Sequence, residues 1–373
     1  MPELPSGWVR SSLAELTVIK AGSVPVGSNY GDIPVMGANG RIGSTSTSNF
    51  GPGYLVGRVG AAGAVNYSDE PCWASDNVLT VLPRESIVDI NFLWHLLVYT
   101  DPRKLATRQA QPLLTQSAVA SLKVVYPVSV AEQRRLAEIL DTIDDQIGRS
   151  ERVIAKLSLR QKGIQSYLLN QIQGSCRSLM DYLACGPRNG FSPKEVDEWT
   201  GLVAIGLGCL TESGFEPRQL KNVPSWSVSN RQAILEDGDL LISRANTRDL
   251  VGLAGCYREI GVPCIYPDLM MRLKPNAWCR ADFLEITLQS SSVRRQIQAV
   301  AQGTSESMVK ISASSVRLLK VAIPDLFEQD RIVRLVDHGN ALIRSEKRQL
   351  EKLLLLRQGL MEDLLSGNVR LPD

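Results

Sequence analysis

The apolar residues of this chain keep two different rhythms. Leu140, Ile143, Ile147, Ile154, Leu157, Ile164 and Leu168 fall on the a and d positions of a heptad, and Val336, Ile343, Leu350, Leu353, Leu360 and Leu364 do so again later. A period near 3.5 keeps such residues on one stripe of a helix, and no proline interrupts either run, so two long helices are predicted. Ser150, Gln161, Glu346 and Arg357 fall at seam positions. Polar residues there suit a helix pair held partly by other surfaces more than a free-standing zipper.

Elsewhere the rhythm is that of short strands. "PGYLVGRVG", "NVLTVLP", "GDLLISRAN" and "LMMRLKP" are β-type runs, and glycine-rich loops such as "GANGRIG" and "NFGPGY" punctuate them. Helical patches follow around Phe92–Tyr99 and Phe283–Val300. The expected fold class is α+β, with two compact domains, each built on a small irregular sheet.

The two halves repeat each other. "EQRRLAEILD" from Glu132 returns as "EQDRIVRLVD" from Glu328, and at this offset Asp141, Ile147, Leu157, Leu159, Gly163 and Leu168 also meet identical partners. Upstream, "LLTQSAVASLKVVYP" resembles "KISASSVRLLKVAIP", and "AGSVP" with Gly22 echoes "NGFSP" with Gly190. The chain therefore reads as two diverged halves, each a globular unit followed by a helix. The expected divisions are 1–127, 128–172, 173–324 and 325–373. Connectivity makes the helices antiparallel if they pair, which gives a pseudo-two-fold dumbbell. At about 1.5 Å per residue each repeated helix spans on the order of 55 Å, comparable to roughly one and a half turns of duplex DNA.

Composition adds mainly exclusions. The net charge is +2 and 44% of residues are hydrophobic, which suits a soluble globular chain but nominates no polyanionic partner. Residues 1–130 hold nine basic and nine acidic side chains, and residues 195–323 hold fourteen of each. "MPELPSGWVR" lacks the pattern of a signal peptide, and no run is apolar enough to span a membrane, so a cytoplasmic location is expected. The seven cysteines form no C-x-x-C pair, and only His95 and His338 could join them, so neither zinc nor a disulfide framework is expected. They are read as small buried hydrophobes. Phosphate-loop, zinc-protease and nucleophile-elbow motifs are lacking, and "IGLGCL" reads as a sheet-edge turn. No catalytic residue, cofactor or metal is assigned.

What remains is binding chemistry. Asn39, Arg41, Arg58, Arg108 and Gln109 in the first half, and Arg244, Asn246, Thr247, Arg248, Ser305 and Lys310 in the second, are loop side chains suited to base edges or phosphates. Arg58 and Arg244 follow corresponding strands, "YLVGR" and "LLISR". A salt bridge inside each half would explain that pairing as well as a binding role.

Over nearly its whole length the chain resembles the specificity subunit of Type I restriction-modification systems. The likeness rests on Pro127 before "EQRRLAEILDTID", Pro324 before "EQDRIVRLVD", the opening "LPSGWVRSSLAEL", and "LLISRANTRDLVG". It implies two target recognition domains, each reading half of a split double-stranded DNA sequence, with helices that set the separation and no active site. It also implies two docked modification methyltransferase subunits, with restriction subunits joining them. Leu136, Ile139, Leu159 and Leu354 lie off the seam and are the expected docking residues. Two other readings remain: a coiled-coil scaffold whose heads bind proteins, and the specificity module of a Type IIB-like restriction-methylation enzyme.

Overall fold

A computed structural model describes residues 4–25, 31–107, 110–229, 231–303 and 308–369. The chain divides into two units, Met1–Arg152 with Arg348–Asp373, and Val153–Lys347. The two long helices are present as Val130–Asn170 and Leu326–Ser366, and each contributes to both units. Among the described residues, no helix is long and apolar enough to cross a membrane.

In the first unit the head holds a four-stranded antiparallel sheet, ordered Thr17–Ala21, Val78–Pro83, Gly53–Gly57 and Val65–Ser68. A three-stranded sheet places Ile33–Gly37 between Gly40–Thr45 and Trp73–Ala74, the last pairing parallel. Strands Trp8–Ser12 and Lys123–Pro127 pair beside them. The helix Ile90–Thr100 begins at Asp89, whose carboxylate caps the N–H groups of Asn91 and Phe92.

The second head repeats this plan. Leu183–Asn189, Met270–Pro275, Leu240–Ser243 and Ala254–Cys256 form its four-stranded sheet, and Val203–Ile205 pairs with Leu220–Asn222 and, in parallel, Cys264–Ile265. Helices Ala281–Leu288 and Ser291–Val300 divide the predicted helical patch between them. "IGLGCL" runs from a strand into one short turn with no helix behind it, as a sheet-edge turn should.

The central strands explain why their sequences read as unbroken apolar runs. All of Gly53–Gly57 and all of Leu240–Ser243 are buried. Side chains alternate across a strand, so Tyr54 and Val56 join one apolar cluster and Leu55 another, just as Leu240 and Ile242 separate from Leu241. A strand covered on both faces has no polar side to show.

The repeated "EQ" motif now has a physical meaning. Ser129 and Asp325 cap the long helices by accepting from the N–H of Glu132 (3.3 Å) and Glu328 (2.9 Å). One residue on, Gln133 and Gln329 are wholly buried. Gln133 donates to the carbonyls of Ile87 (2.9 Å) and Pro127 (2.8 Å) and accepts from the N–H of Asp89 (2.8 Å). Gln329 makes the same three bonds, to Trp278 (2.9 Å), Pro324 (2.8 Å) and Arg280 (2.9 Å). Each glutamine thus ties the proline that ends its head and the cap of the head's helix to the long helix. Deleting the amide would strand a buried N–H and two carbonyls, at about 1–3 kcal/mol for each group left unpaired.

Polar seam residues pair the helices within each unit. In the first unit Arg357 forks onto both carboxylate oxygens of Asp144, and Leu136 and Leu140 share a cluster with Met361, Leu364 and Leu365. In the second, Gln161 donates to the Val336 carbonyl at 2.8 Å, while Leu168 packs with Ile332, Val333 and Val336. The pairing is antiparallel in each unit, because positions rising along one helix meet positions falling along the other.

Leu136 corrects an expectation. It is 1% exposed and belongs to the first head's core, and Ile139 packs against the same cluster. The first turns of the long helix meet both the partner helix and the head, so a residue off the seam is still covered there. Of the cysteines, Cys72, Cys209, Cys256, Cys264 and Cys279 are buried, but Cys176 is exposed, and all seven are free thiols. Burial pushes the Cys279 thiol up to about 12, which suits an inert packing role.

Candidate nucleic-acid interface

Arg58 and Arg244 hold one position in two heads. The Arg58 N–H donates to the Asn77 carbonyl and the Arg58 carbonyl accepts from Leu114, both at 2.8 Å. The Arg244 N–H donates to Leu269 (2.8 Å) and its carbonyl accepts from Ile311 (2.9 Å). Leu114 and Ile311 are themselves matched by the sequence repeat. Among the described residues neither arginine forms an ion pair, and the Arg244 guanidinium reaches only the Asp268 carbonyl, at 3.3 Å. A salt bridge therefore does not account for the pair.

The loop after each arginine is closed in the same way. Gly63 donates to the carbonyl of Gly57, and Gly252 to that of Ser243. Both glycines have positive φ, +84° and +76°, and a side chain on either would strike the segment lying over it. In the first head that segment is Pro102–Leu105, and a Cβ on Gly63 would stand 2.3 Å from the Arg103 nitrogen. In the second it is the helix Ser291–Val300, with Ile297 and Arg294 against Gly252.

Between these fixed points the chemistry differs. The first loop holds only Val59, Gly60, Ala61 and Ala62, and an open cavity of about 640 Å³ is lined by Gly60, Ala61, Asn39, Arg103, Lys104 and Thr107 among others. Asn39 stands at the tip of the hairpin joining Ile33–Gly37 to Gly40–Thr45, and Arg41, two residues on, folds back onto the Gly43 carbonyl at 3.2 Å. Arg103 is held by Asp101 at 2.6 Å. The second loop is three residues longer and carries Asn246, Thr247 and Arg248. Asn246 accepts from the Thr247 N–H (2.9 Å), and Arg248 reaches the Gln298 carbonyl (3.2 Å). Arg294 fastens this loop through the carbonyls of Asp249 and Val251. Lys310 is exposed on a two-residue strand whose backbone pairs with Ala245–Asn246.

The structure thus gathers Arg244, Asn246, Thr247, Arg248 and Lys310 around one loop, and sets Asn39 beside the matching loop of the first head. Arg108, Gln109 and Ser305 lie outside the described residues. Arg103 and Lys104 escaped the sequence reading. The signal was present as a basic pair after a helix, "PRK" against "VRR" at Val293–Arg295, but the register between the heads is weak there. Among the described residues no cluster of His, Cys, Asp or Glu could hold a metal ion.

On the long helices, Leu159 is 74% and Leu354 47% exposed. The repeat matches Leu159 to Leu355, which is 70% exposed.

Comparison with known proteins places this architecture. Residues 5–159 match the Type I restriction modification DNA specificity domain. The specificity subunit of the Type I restriction enzyme EcoKI of Escherichia coli K12 is 24% identical over 312 residues, covering 78% of this chain and 67% of that one. A putative specificity subunit of the Type I enzyme MjaX of Methanocaldococcus jannaschii is 20% identical over 185 residues, covering 49% and 43%. The fold matches the crystal structure of a Type I restriction-modification S subunit from M. genitalium with a TM-score of 0.62 at 15% identity, over 100% of this chain and 98% of that one. A chain from a structure addressing complex assembly and conformational transition of the type I R-M system matches at 0.57 and 16%, over 99% and 100%. In its repeated motif, its domain and its fold, the chain is similar to the specificity subunits of Type I restriction-modification systems.

Proposed function

We propose that this chain reads a split sequence in double-stranded DNA and brings two modification methyltransferase subunits, and restriction subunits, to it in the cytoplasm. Residues 1–127 and 173–324 act as the two target recognition domains, and 128–172 and 325–373 as the spacer regions. The chain contributes recognition, not catalysis. The observation that carries the reading is one backbone frame used twice with different loop chemistry: Arg58 and Arg244 share a position, but small residues and a cavity follow the first, and Asn246, Thr247 and Arg248 the second. Two such heads suit two different half-sites, because base readout is local. Near-neutral heads supply little phosphate attraction, so tight binding would need the methyltransferase.

Leu159 and Leu355 favour two partner copies. Identical leucines at repeat-related positions, both largely exposed, offer the same apolar contact twice, with Leu354 beside one of them. Co-expression with a methyltransferase partner and genome-wide mapping of methylated bases tests the function. An asymmetric motif with an unread gap is expected. A palindromic motif, or no methylation dependent on this chain, would defeat the reading.

A further inference from the structure

The joint between head and helix is built twice from the same parts but with its charges reversed. At the first joint Arg134 donates to the Asp89 carboxylate at 3.1 Å. At the second the arginine is Arg280, on the head, and it donates to Asp330, on the helix, also at 3.1 Å. Positions 134 and 330 are equivalent in the repeat, and Asp89 and Arg280 both give their N–H to the buried glutamine of the motif. The three-point glutamine clasp is thus common to both joints, whereas the ion pair beside it has opposite sense. The head's Asp89 and Arg280 side chains are 13% and 40% exposed, and the helix's Arg134 and Asp330 are 66% and 30% exposed.

We propose that Gln133 and Gln329 are positioning residues for DNA recognition. Each fixes the rotation of its own head on its own helix, and so the phase at which that head presents its loops to DNA. The reversed ion pairs make the joints non-interchangeable: a head seated on the other helix start would set Asp89 against Asp330, or Arg280 against Arg134. Three bonds converging on one rigid amide define an orientation that apolar packing alone leaves free to rock, because dispersion contacts have little directionality. A one-residue difference between the joints makes the same point. Six positions separate Pro127 from Gln133 and five separate Pro324 from Gln329, yet each glutamine reaches its proline carbonyl at 2.8 Å. The chain has adjusted its loop around the clasp.

This inference rests on the split-site reading above, and its test separates the two. The full chain is co-expressed with a methyltransferase partner, and methylated positions are sequenced for wild type, Gln133→Leu and Arg134→Asp. Wild type should methylate at a single gap between half-sites. Gln133→Leu should keep both half-site sequences while sites with a gap one base pair longer or shorter rise about tenfold among those methylated. A chain that is merely destabilised would lose methylation overall at the original gap. Arg134→Asp, a surface change that cannot empty the core, should relax the gap in the same direction through its repulsion with Asp89. Adding Asp89→Asn, which keeps a helix cap but removes the like charge, should restore it. A single unchanged gap in Arg134→Asp, and in Gln133→Leu where that chain accumulates, overturns the proposal. A wild-type chain that directs no split-site methylation instead defeats the functional reading.

Discussion

The loop after Arg58 and the loop after Arg244 begin and end on the same hydrogen bonds, yet one borders an open cavity and the other is filled with its own polar side chains. The arginine backbones bond to matching neighbouring segments, at Asn77 and Leu114 in one head and Leu269 and Ile311 in the other, and a positive-φ glycine closes each loop. Between those points the first head has four residues without a polar side chain, and the second has seven, including Asn246, Thr247, Arg248 and Asp249. The basic residue above follows the difference. Arg294 is spent on the carbonyls of its long loop, whereas Arg103 turns to Asp101 and borders the cavity. A frame held by backbone bonds can thus change what it presents without changing how it folds.

The comparison breaks most visibly where the frame is shared. A Cβ on Gly22 would stand 2.0 Å from the Ser75 carbonyl oxygen, and one on Gly190 would stand 2.0 Å from that of Tyr266. Both obstacles are backbone, so neither can step aside. Gly22→Ala and Gly190→Ala should each destabilise the chain by about 3 kcal/mol, seen as a lower thermal midpoint. A midpoint unchanged in one variant alone would mean that the two heads do not share this contact.

Next comes the position where frame and chemistry meet. Arg58→Ala and Arg244→Ala should each weaken binding to one half-site by roughly 1–3 kcal/mol and leave the other as it was. Competition binding with half-site variants, in the presence of the methyltransferase, measures this. If both half-sites weaken together in either variant, the arginine supports assembly and does not read sequence.

How much of this the sequence could tell depends on what each residue faces. The long helices, the central strands and the pairing of Arg58 with Arg244 were legible, because periodicity and repetition report backbone class directly. Gln133 and Gln329 were visible as part of a motif but silent about their role, since nothing local says that a glutamine beside a seam will reach a carbonyl at residue 87 or 278. Leu136 was misread because helical periodicity knows one partner, and here the helix start has two. The cavity was invisible for a different reason. It is made by what Gly60, Ala61 and Ala62 leave empty, and Arg103 becomes meaningful only when Gly63 lets its segment come close.

The seam residues offer a smaller contrast. Gln161 and Arg357 are equivalent in the repeat, but one bonds a carbonyl and the other a carboxylate. Gln161→Leu should cost about 1 kcal/mol, the net worth of a neutral bond. Arg357→Leu should cost somewhat more at low salt, because it leaves a half-buried Asp144 unpaired, and the gap between the two variants should narrow at high salt as that charge is screened. Equal losses at every ionic strength would show that Asp144 gains nothing from its partner. Denaturant titrations at two salt concentrations decide it.

The smallest effect belongs to a group that only the second head has. Five residues after the helix cap the first head places Trp94, stacked on Tyr54, and the second places Glu285. Burial pushes the Glu285 carboxyl above its ordinary 4.5, although it accepts the Cys256 N–H at 2.9 Å. The folded chain therefore holds this proton at a pH where the unfolded chain has released it. Stability from such a group is present at low pH and is lost as pH rises from near 4.5 through the raised value. Glu285→Gln keeps an acceptor for Cys256 and removes the titration, so its stability relative to wild type should climb between pH 4.5 and 7.5. Taking the difference between variant and wild type cancels the groups that do not interact with Glu285; Asp337, whose charge helps raise Glu285 and whose own carboxyl is raised, first by burial and then by Asp282, is coupled to it, so Asp337→Asn is carried in both chains. Trp94→Phe in the first head, which titrates nothing, should give a difference that is flat across the same range. A flat difference for Glu285→Gln as well would place its carboxylate in contact with water.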